Sequence, residues 1–173
     1  MQPRLKPQDV LLALKLVARR NSDWTQLQLA SSLHMSVSEI NHSLKRLVVC
    51  SLFNAREHRV VCANLLEFLV SGLRYVFPTQ LGLLGKGMPT AYSVRPLAER
   101  LRLGEEDGVV WAVPHGDNQI FGRVIEPLYE SAPQAAAEDP VLHEYLALAD
   151  ALRVGRARER AMAREELTKR LTP

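Results

Sequence analysis

The chain has 173 residues, of which 47% are hydrophobic, and its formal net charge is +3. This length suffices to bury a substantial core in one domain or in two small ones. No apolar run approaches a membrane span, and the first ten residues mix Gln, Arg, Lys and Asp, unlike a signal peptide. These features exclude the membrane-spanning and secreted classes and predict a soluble cytoplasmic protein.

The charge is unevenly distributed along the chain. Residues 1–64 contain nine Lys/Arg and four Asp/Glu, a net charge of +5, whereas residues 65–150 contain six and twelve, a net charge of −6. Residues 151–173 contain seven and three, a net charge of +4. A polyanion such as nucleic acid is therefore expected to bind near the N-terminus.

The first predicted helix begins at Pro7, a residue suited to a first helical turn. Val10, Leu11 and Leu14 form its apolar face, and the helix is expected to run to about Arg20. A short polar turn at residues 21–23 follows.

Residues 25–53 contain two short amphipathic blocks separated by residues 34–36. The spacing predicts two helices on a small core. The first is expected to bury Leu27, Leu29, Ala30 and Leu33, and the second Ile40, Leu44, Leu47 and Val48. Ser36 and Glu39 are spaced as a capping box at the start of the second helix.

The second of these helices has a polar outer face. Stepping about 100° per residue from Ile40 places five side chains on the opposite side, with Asn41 at their edge. They are Ser38, Glu39, His42, Lys45 and Arg46. Such a face can lie in a major groove, where amides, imidazoles and cations meet base edges and phosphates.

Three short matches carry a family resemblance: Gln28-Leu29-Ala30, Ser36-x-Ser38-x-Ile40 and Ser43-Leu44-x-x-Leu47. Through them residues 8–64 resemble the winged helix-turn-helix of bacterial transcription regulators, nearest to the MarR-type branch. The resemblance implies that the second helix reads DNA and that the following hairpin touches the backbone. His34 stands at the turn position where such motifs most often carry Gly, a position that usually needs a positive φ.

The hairpin is predicted over residues 54–64, with a tip at Arg56–Arg59 and a returning strand at residues 60–62. Ser38, Asn41 and His42 are expected to read bases, and Lys45 and Arg46 to neutralise phosphates. The full set of expected DNA contacts is Ser36, Ser38, Asn41, His42, Lys45, Arg46, Arg56, His58 and Arg59.

The middle of the chain, residues 77–138, is predicted as a Gly/Pro-rich loop at 78–96 followed by a β-hairpin around the turn at 114–118. The glycines around Lys86 lack the spacing of a phosphate-binding loop. Trp111 could wall a pocket for a small-molecule effector, or the hairpin could be only a small packed sheet.

A long helix is predicted over residues 139–173, capped by Asp139 and begun by Pro140. If it is unbroken, Arg153, Arg156, Arg160 and Arg164 lie along its apolar stripe. Those arginines could then face internal carboxylates, an anion, a nucleic-acid backbone or a second subunit, and a dimer contact is favoured. A break at Gly155 would instead make the row a solvated face.

No catalytic motif, metal-ligand spacing or cofactor-binding motif is found, and Cys50 and Cys62 are expected to be reduced thiols. The sequence thus predicts a non-enzymatic, mostly α protein with small β-hairpins: a winged helix at 1–76, the segment 77–138 and the terminal helix. The predicted function is sequence-specific duplex-DNA binding as a homodimeric repressor with half-sites about 34 Å apart. The alternative is a protein-interaction module, an antitoxin-like or adaptor subunit that docks through the winged helix and the acidic middle.

Overall fold

The computed structural model describes residues 4–20, 22–113 and 118–172 of an α+β protein that is 55% helical with 12% strand. This agrees with the predicted mostly α class. The helices are α1 (Pro7–Ala18), α2 (Gln26–Leu33), α3 (Val37–Val49), α4 (Cys62–Ser71), α5 (Leu73–Val76), α6 (Leu97–Arg100), α7 (Ala132–Glu138), α8 (Pro140–Val154) and α9 (Ala157–Leu171). The strands are β1 (Phe53–Asn54), β2 (Arg59–Val60), β3 (Leu84–Pro89), β4 (Val109–Trp111) and β5 (Ile120–Ile125).

Helix α1 lies at the centre of the fold. Val10 to Leu14 are five consecutive residues without solvent exposure, so this helix is covered on all sides and not only along one stripe. It packs against α3 on the N-terminal side of the fold and against α8 on the C-terminal side. The core is therefore continuous between the two halves of the chain.

The capping interactions define α2 and α3. Thr25 and Gln28 form a reciprocal capping box at the start of α2, which the sequence analysis did not identify. His34 ends α2 with φ of 52° and ψ of 44°, the left-handed conformation predicted for this position. Ser36 Oγ accepts a hydrogen bond from the Glu39 amide at 3.1 Å, but the Glu39 carboxylate turns to Arg46, so only half of the predicted capping box forms.

The predicted burial of α2 and α3 is partly wrong. Leu29, Ala30, Leu33, Ile40 and Leu47 are buried as expected, whereas Leu44 is half-buried. Leu27 and Val48 are exposed. Ser43 is fully buried although it was not predicted to be, and its hydroxyl donates to Glu39 and accepts from Arg46.

Strands β1 and β2 form the short antiparallel hairpin predicted after α3, with Phe53 paired to Val60 and Asn54 to Arg59. The Asn54 side chain accepts hydrogen bonds from the Arg56 and Glu57 amides and so shapes the turn. The returning strand ends earlier than predicted, because Cys62 already begins α4.

The middle segment differs from its prediction in two ways. Residues 84–89, predicted as loop, form β3, which pairs antiparallel with both β4 and β5. Strands β4 and β5 are parallel to each other, so the predicted hairpin around residues 114–118 is wrong. Residues 114–117 of that turn lie outside the described residues.

Glycine makes this three-stranded arrangement possible. A Cβ atom on Gly87 would lie 2.1 Å from the Trp111 carbonyl oxygen, and one on Gly122 would lie 2.6 Å from the Gly108 carbonyl group. Any side chain at either position would force the strands apart. The glycines that suggested a loop thus permit close strand contact.

The predicted terminal helix is two helices. Gly155 ends α8 in an extended conformation, and α9 begins at Ala157 and packs back along α8. A Cβ on Gly155 would lie 2.4 Å from the Ala151 carbonyl oxygen, so the turn needs glycine here. The unbroken register that aligned the four arginines is therefore wrong, and the helix breaks at Gly155. The row is still not the solvated face expected from such a break, because the Arg153 side chain is only 4% exposed.

A buried polar cluster joins α8 to the small sheet. The carboxylate of Asp150 accepts hydrogen bonds from Thr90 Oγ1 at 2.7 Å, Trp111 Nε1 at 2.8 Å and Arg153 NH1 at 2.7 Å. Arg153 also donates through Nε to the Phe77 carbonyl oxygen at 2.9 Å. Every member of the cluster is hydrogen-bonded, as burial of such groups requires.

The two halves of the chain are joined by an ion pair between α1 and the start of α8. Lys15 Nζ donates to Asp139 Oδ2 at 2.7 Å, while Asp139 Oδ1 caps α8 through the Val141 and Leu142 amides. Burial acts to raise the pKa of Asp139, but the bond from Lys15 and the bonds from the α8 amides outweigh it and lower the pKa.

We predict a pH-dependent difference in stability between the wild-type protein and Asp139→Asn. Asparagine keeps the helix cap but loses the ion pair. Because the folded-state pKa of Asp139 is lowered, its contribution is present above the unfolded value of about 3.9 and is lost as pH falls through the folded value. Urea unfolding should therefore show the wild type more stable at pH 7, with the difference shrinking below about pH 4. A difference that stays constant from pH 7 to pH 3 would contradict this role.

Candidate nucleic-acid interface

The outer face of α3 is open to solvent. Ser38, His42 and Lys45 are exposed, and Asn41 is half-buried, with its Nδ2 3.5 Å from Gln26 Oε1. Helix α3 packs on α1, α2 and β1, and the later part of the chain leaves this face uncovered. An amide, an imidazole and an ammonium group thus lie along one accessible side of a 13-residue helix.

Arg46 is not on this open face. Its guanidinium binds the Asp9 carboxylate through Nε and NH2 at 2.7 to 3.0 Å and also donates to Glu39, and its side chain is only 11% exposed. The hydrogen bonds to Asp9, more than those to Glu39, raise the pKa of Arg46. The expectation that Arg46 neutralises phosphate is therefore corrected: its charge is used inside the protein.

Glu39 completes this buried network. Its carboxylate accepts from Arg46, from Gln8 Nε2 at 3.2 Å and from Ser43 Oγ at 3.4 Å. Burial acts to raise the pKa of Glu39, but the hydrogen bonds from Arg46 and Gln8 outweigh it and lower the pKa. Glu39 was placed on the outer polar arc by the helical projection, and it is only half-exposed because it faces Arg46.

The turn between α2 and α3 is held from the C-terminal half of the chain. His34 Nε2 lies 3.0 Å from Glu138 Oε1, and Ser131 Oγ donates to the Leu33 carbonyl oxygen at 2.7 Å. Both contacts come from α7 and the residue before it. They tie the C-terminal end of α2 to the second half of the chain.

The hairpin carries exposed cations beside an aromatic cluster. The His58 ring stacks at 5.0 Å from Trp24 and lies 6.1 Å from Phe53, which fixes the hairpin against the loop between α1 and α2. Arg59 pairs with Glu57 at 3.5 Å, and both side chains are exposed. Arg56 is exposed and forms no salt bridge within the described part of the chain.

Three valines of α3 are exposed, Val37, Val48 and Val49. Val49 is 60% exposed and Val37 is exposed at the first turn. Sequence reasoning missed both, although about 100° per residue places Val49 opposite Ile40. Their methyl groups could contact thymine methyls or an apolar protein surface.

The four C-terminal arginines do not form one site. Arg153 is buried in the Asp150 cluster, whereas Arg156 and Arg164 are exposed and Arg160 donates to the Gly155 carbonyl oxygen at 2.7 Å. Trp111 is 1% exposed and its Nε1 donates to Asp150 at 2.8 Å, so its indole is enclosed within the Asp150 cluster. Cys50 and Cys62 are free thiols, and burial raises the pKa of each.

Within residues 4–20, 22–113 and 118–172, no three His, Cys, Asp or Glu residues are grouped to hold a metal ion. No described helix combines the length and apolarity needed to cross a bilayer.

Comparison of the chain with models of known families, with curated proteins and with solved structures found no match.

We predict very different stability effects for two neighbouring residues of α3. Arg46→Gln removes the partner of the fully buried Asp9 carboxylate and should lower the free energy of unfolding by about 3 to 5 kcal/mol. Lys45→Gln changes an exposed side chain and should stay within about 0.5 kcal/mol of wild type. Urea denaturation followed by circular dichroism measures both. Equal losses in the two variants would mean that the Asp9–Arg46 pair does not hold α3.

Proposed function

We propose that the segment from α1 to β2 is a winged helix-turn-helix and that the protein binds duplex DNA sequence-specifically as a transcription regulator. The observation that carries this proposal is the accessibility of Ser38, His42 and Lys45 on a helix whose other side is fixed by Arg46. A reading helix needs both features, since base contacts require exposed donors and acceptors at defined positions.

The assignment of roles follows from exposure and chemistry. Ser38, Asn41 and His42 are assigned to base edges, because amide, hydroxyl and imidazole groups can donate and accept hydrogen bonds there. Lys45 is assigned to phosphate, and Arg56 at the hairpin tip adds a second cation. Ser36, His58 and Arg59 have local partners and are assigned to position the backbone and the hairpin.

Repression is the proposed outcome of this binding, since a protein that occupies a promoter excludes the polymerase. The row of four arginines does not support a homodimer contact, because Arg153 pairs within the subunit and Gly155 breaks the helix. Homodimeric binding therefore remains a proposal that the spacing of half-sites in selected DNA would test.

A protein-docking role is the second candidate, and exposed apolar side chains favour it. Leu27 is 69% exposed on α2, and Val37 and Val49 are exposed on α3. Such groups on one module are typical of an adaptor surface when they are contiguous. An adaptor should not retard any duplex specifically, which separates it from the first proposal.

The central experiment is selection of genomic fragments by the purified protein at physiological salt, followed by mobility shift on the selected duplex. Specific binding is expected at least a thousandfold tighter than binding to a scrambled duplex of the same composition. If selection enriches no sequence and neither duplex is retarded, the DNA-binding proposal is wrong and the adaptor is favoured.

For Lys45→Ala we predict weaker binding to every duplex and a smaller salt dependence. Loss of one phosphate contact should reduce the slope of log K against log salt by about 0.9. Lys86→Ala, which removes an exposed lysine from β3, is the matched control and should leave the slope unchanged. A slope that falls equally in both variants, or in neither, would remove Lys45 from the interface.

A further inference from the structure

A groove separates α9 from the end of α4 and from α5. It has a volume of about 640 Å³, and α9 contributes residues from Ala157 to Lys169. At 1.5 Å per residue this face is about 18 Å long. The occupant of such a groove is elongated. Neither α3 nor the β1–β2 hairpin lines it, so it is distinct from the proposed DNA interface.

The walls of the groove are strongly cationic. Arg74, Arg160, Arg164 and Lys169 line it, together with one carboxylate, Glu165. Lys169 pairs with Glu165 at 2.7 Å, so the remaining three guanidinium groups have an uncompensated charge. Within the described residues, Arg74 and Arg164 form no salt bridge.

The floor of the groove is apolar and its residues are small. Ala157 and Ala161 are exposed on the groove side of α9, and Val70 and Leu152 lie between the helices. Tyr75 at the rim is 72% exposed, with the Arg74 guanidinium 5.0 Å from its ring centroid. Alanines at this spacing let another helix approach closely. Covering the apolar floor with such a helix is favourable, because it removes apolar surface from water.

The charge and the floor together select the occupant. A second copy of this chain that docked through the same groove would bring the same excess of arginines against these arginines, which like-charge repulsion opposes. A phosphodiester backbone would pair with the cations but has no apolar groups to cover the floor of the groove. We propose that the groove binds an acidic amphipathic helix of a partner protein, with carboxylates one turn apart facing Arg160 and Arg164 and small apolar side chains on Ala157 and Ala161.

The bond geometry suits carboxylate recognition. Arg160 and Arg164 are four residues apart on α9, so both side chains start from the same face of the helix. Arg160 NH1 also donates to the Gly155 carbonyl oxygen at 2.7 Å, which holds this guanidinium in place at the end of the groove. Each guanidinium presents paired N–H donors that match the two oxygens of a carboxylate. A partner helix with Glu or Asp at i and i+4 presents carboxylates at the same interval.

The test is an NMR titration of the ¹⁵N-labelled full chain with two synthetic helical peptides. One is built from Ala, Leu and Glu, and its counterpart has Lys in place of each Glu. The acidic peptide should shift amide resonances of Ser71, Tyr75, Ala161 and Arg164, and the basic peptide should not. A short random-sequence DNA duplex, titrated separately, should leave these resonances unchanged.

Matched variants on one helix locate the site. Arg164→Glu should weaken binding of the acidic peptide at least tenfold, and Ala161→Trp should do the same by filling the groove. Arg158→Glu reverses an exposed charge on α9 outside the groove and should change affinity less than twofold. The proposal is overturned if the acidic peptide shifts no groove resonance, if Arg158→Glu weakens binding as much as Arg164→Glu, or if the duplex shifts these resonances.

Discussion

The fully buried carboxylate of Asp9 is the constraint on which the arrangement of the N-terminal half depends. An ionised carboxylate without solvent must be paired and hydrogen-bonded, and here Arg46 supplies two of its N–H groups while the Lys6 amide supplies another. Because Arg46 belongs to α3 and Asp9 to α1, the pair sets the rotation of α3 about its axis. Lys45, the preceding residue and about 100° away around the helix, is exposed to solvent. The exposed face of α3 thus lies beside the interaction that holds the helix on α1.

A second ion pair positions a helix of the C-terminal half in the same way. Helix α1 carries Asp9 near its start and Lys15 near its end, and Lys15 reaches Asp139 at the first turn of α8. The helix is apolar on all sides between these two charges. One charged contact each positions its two neighbours, α3 through Asp9 and α8 through Lys15, and the buried side chains of Val10 to Leu14 pack between these contacts. The His34–Glu138 contact adds a link near the α2–α3 turn.

Local pattern was sufficient to predict helices α1 to α3 but not the contacts between them. The apolar spacing of α1, α2 and α3, the Ser36 cap and the left-handed His34 depend on residues a few positions apart, and each was predictable. Arg46 was misassigned because a helical projection gives an angle alone, whereas a guanidinium on a long stem can turn inward to a carboxylate 37 positions earlier in the chain. The half-formed capping box at Glu39 has the same cause. Nothing in the local pattern identified Asp9 as buried.

The errors in the C-terminal half come from glycine, whose effect depends on what lies opposite it. Gly87 lies in a Gly/Pro-rich stretch that predicts a loop. Its Cα nevertheless faces the Trp111 carbonyl oxygen so closely that no side chain would fit. Gly155 ends α8 and redistributes the arginines, so that Arg153 enters the core while Arg160 and Arg164 line a groove. The net charge of a segment does not reveal this difference between buried and exposed arginines. It counts arginines that are paired inside the protein together with those that are exposed to solvent. Two groups of exposed cations therefore lie on different elements, one on α3 and the hairpin and one along α9, and a single net charge cannot distinguish them.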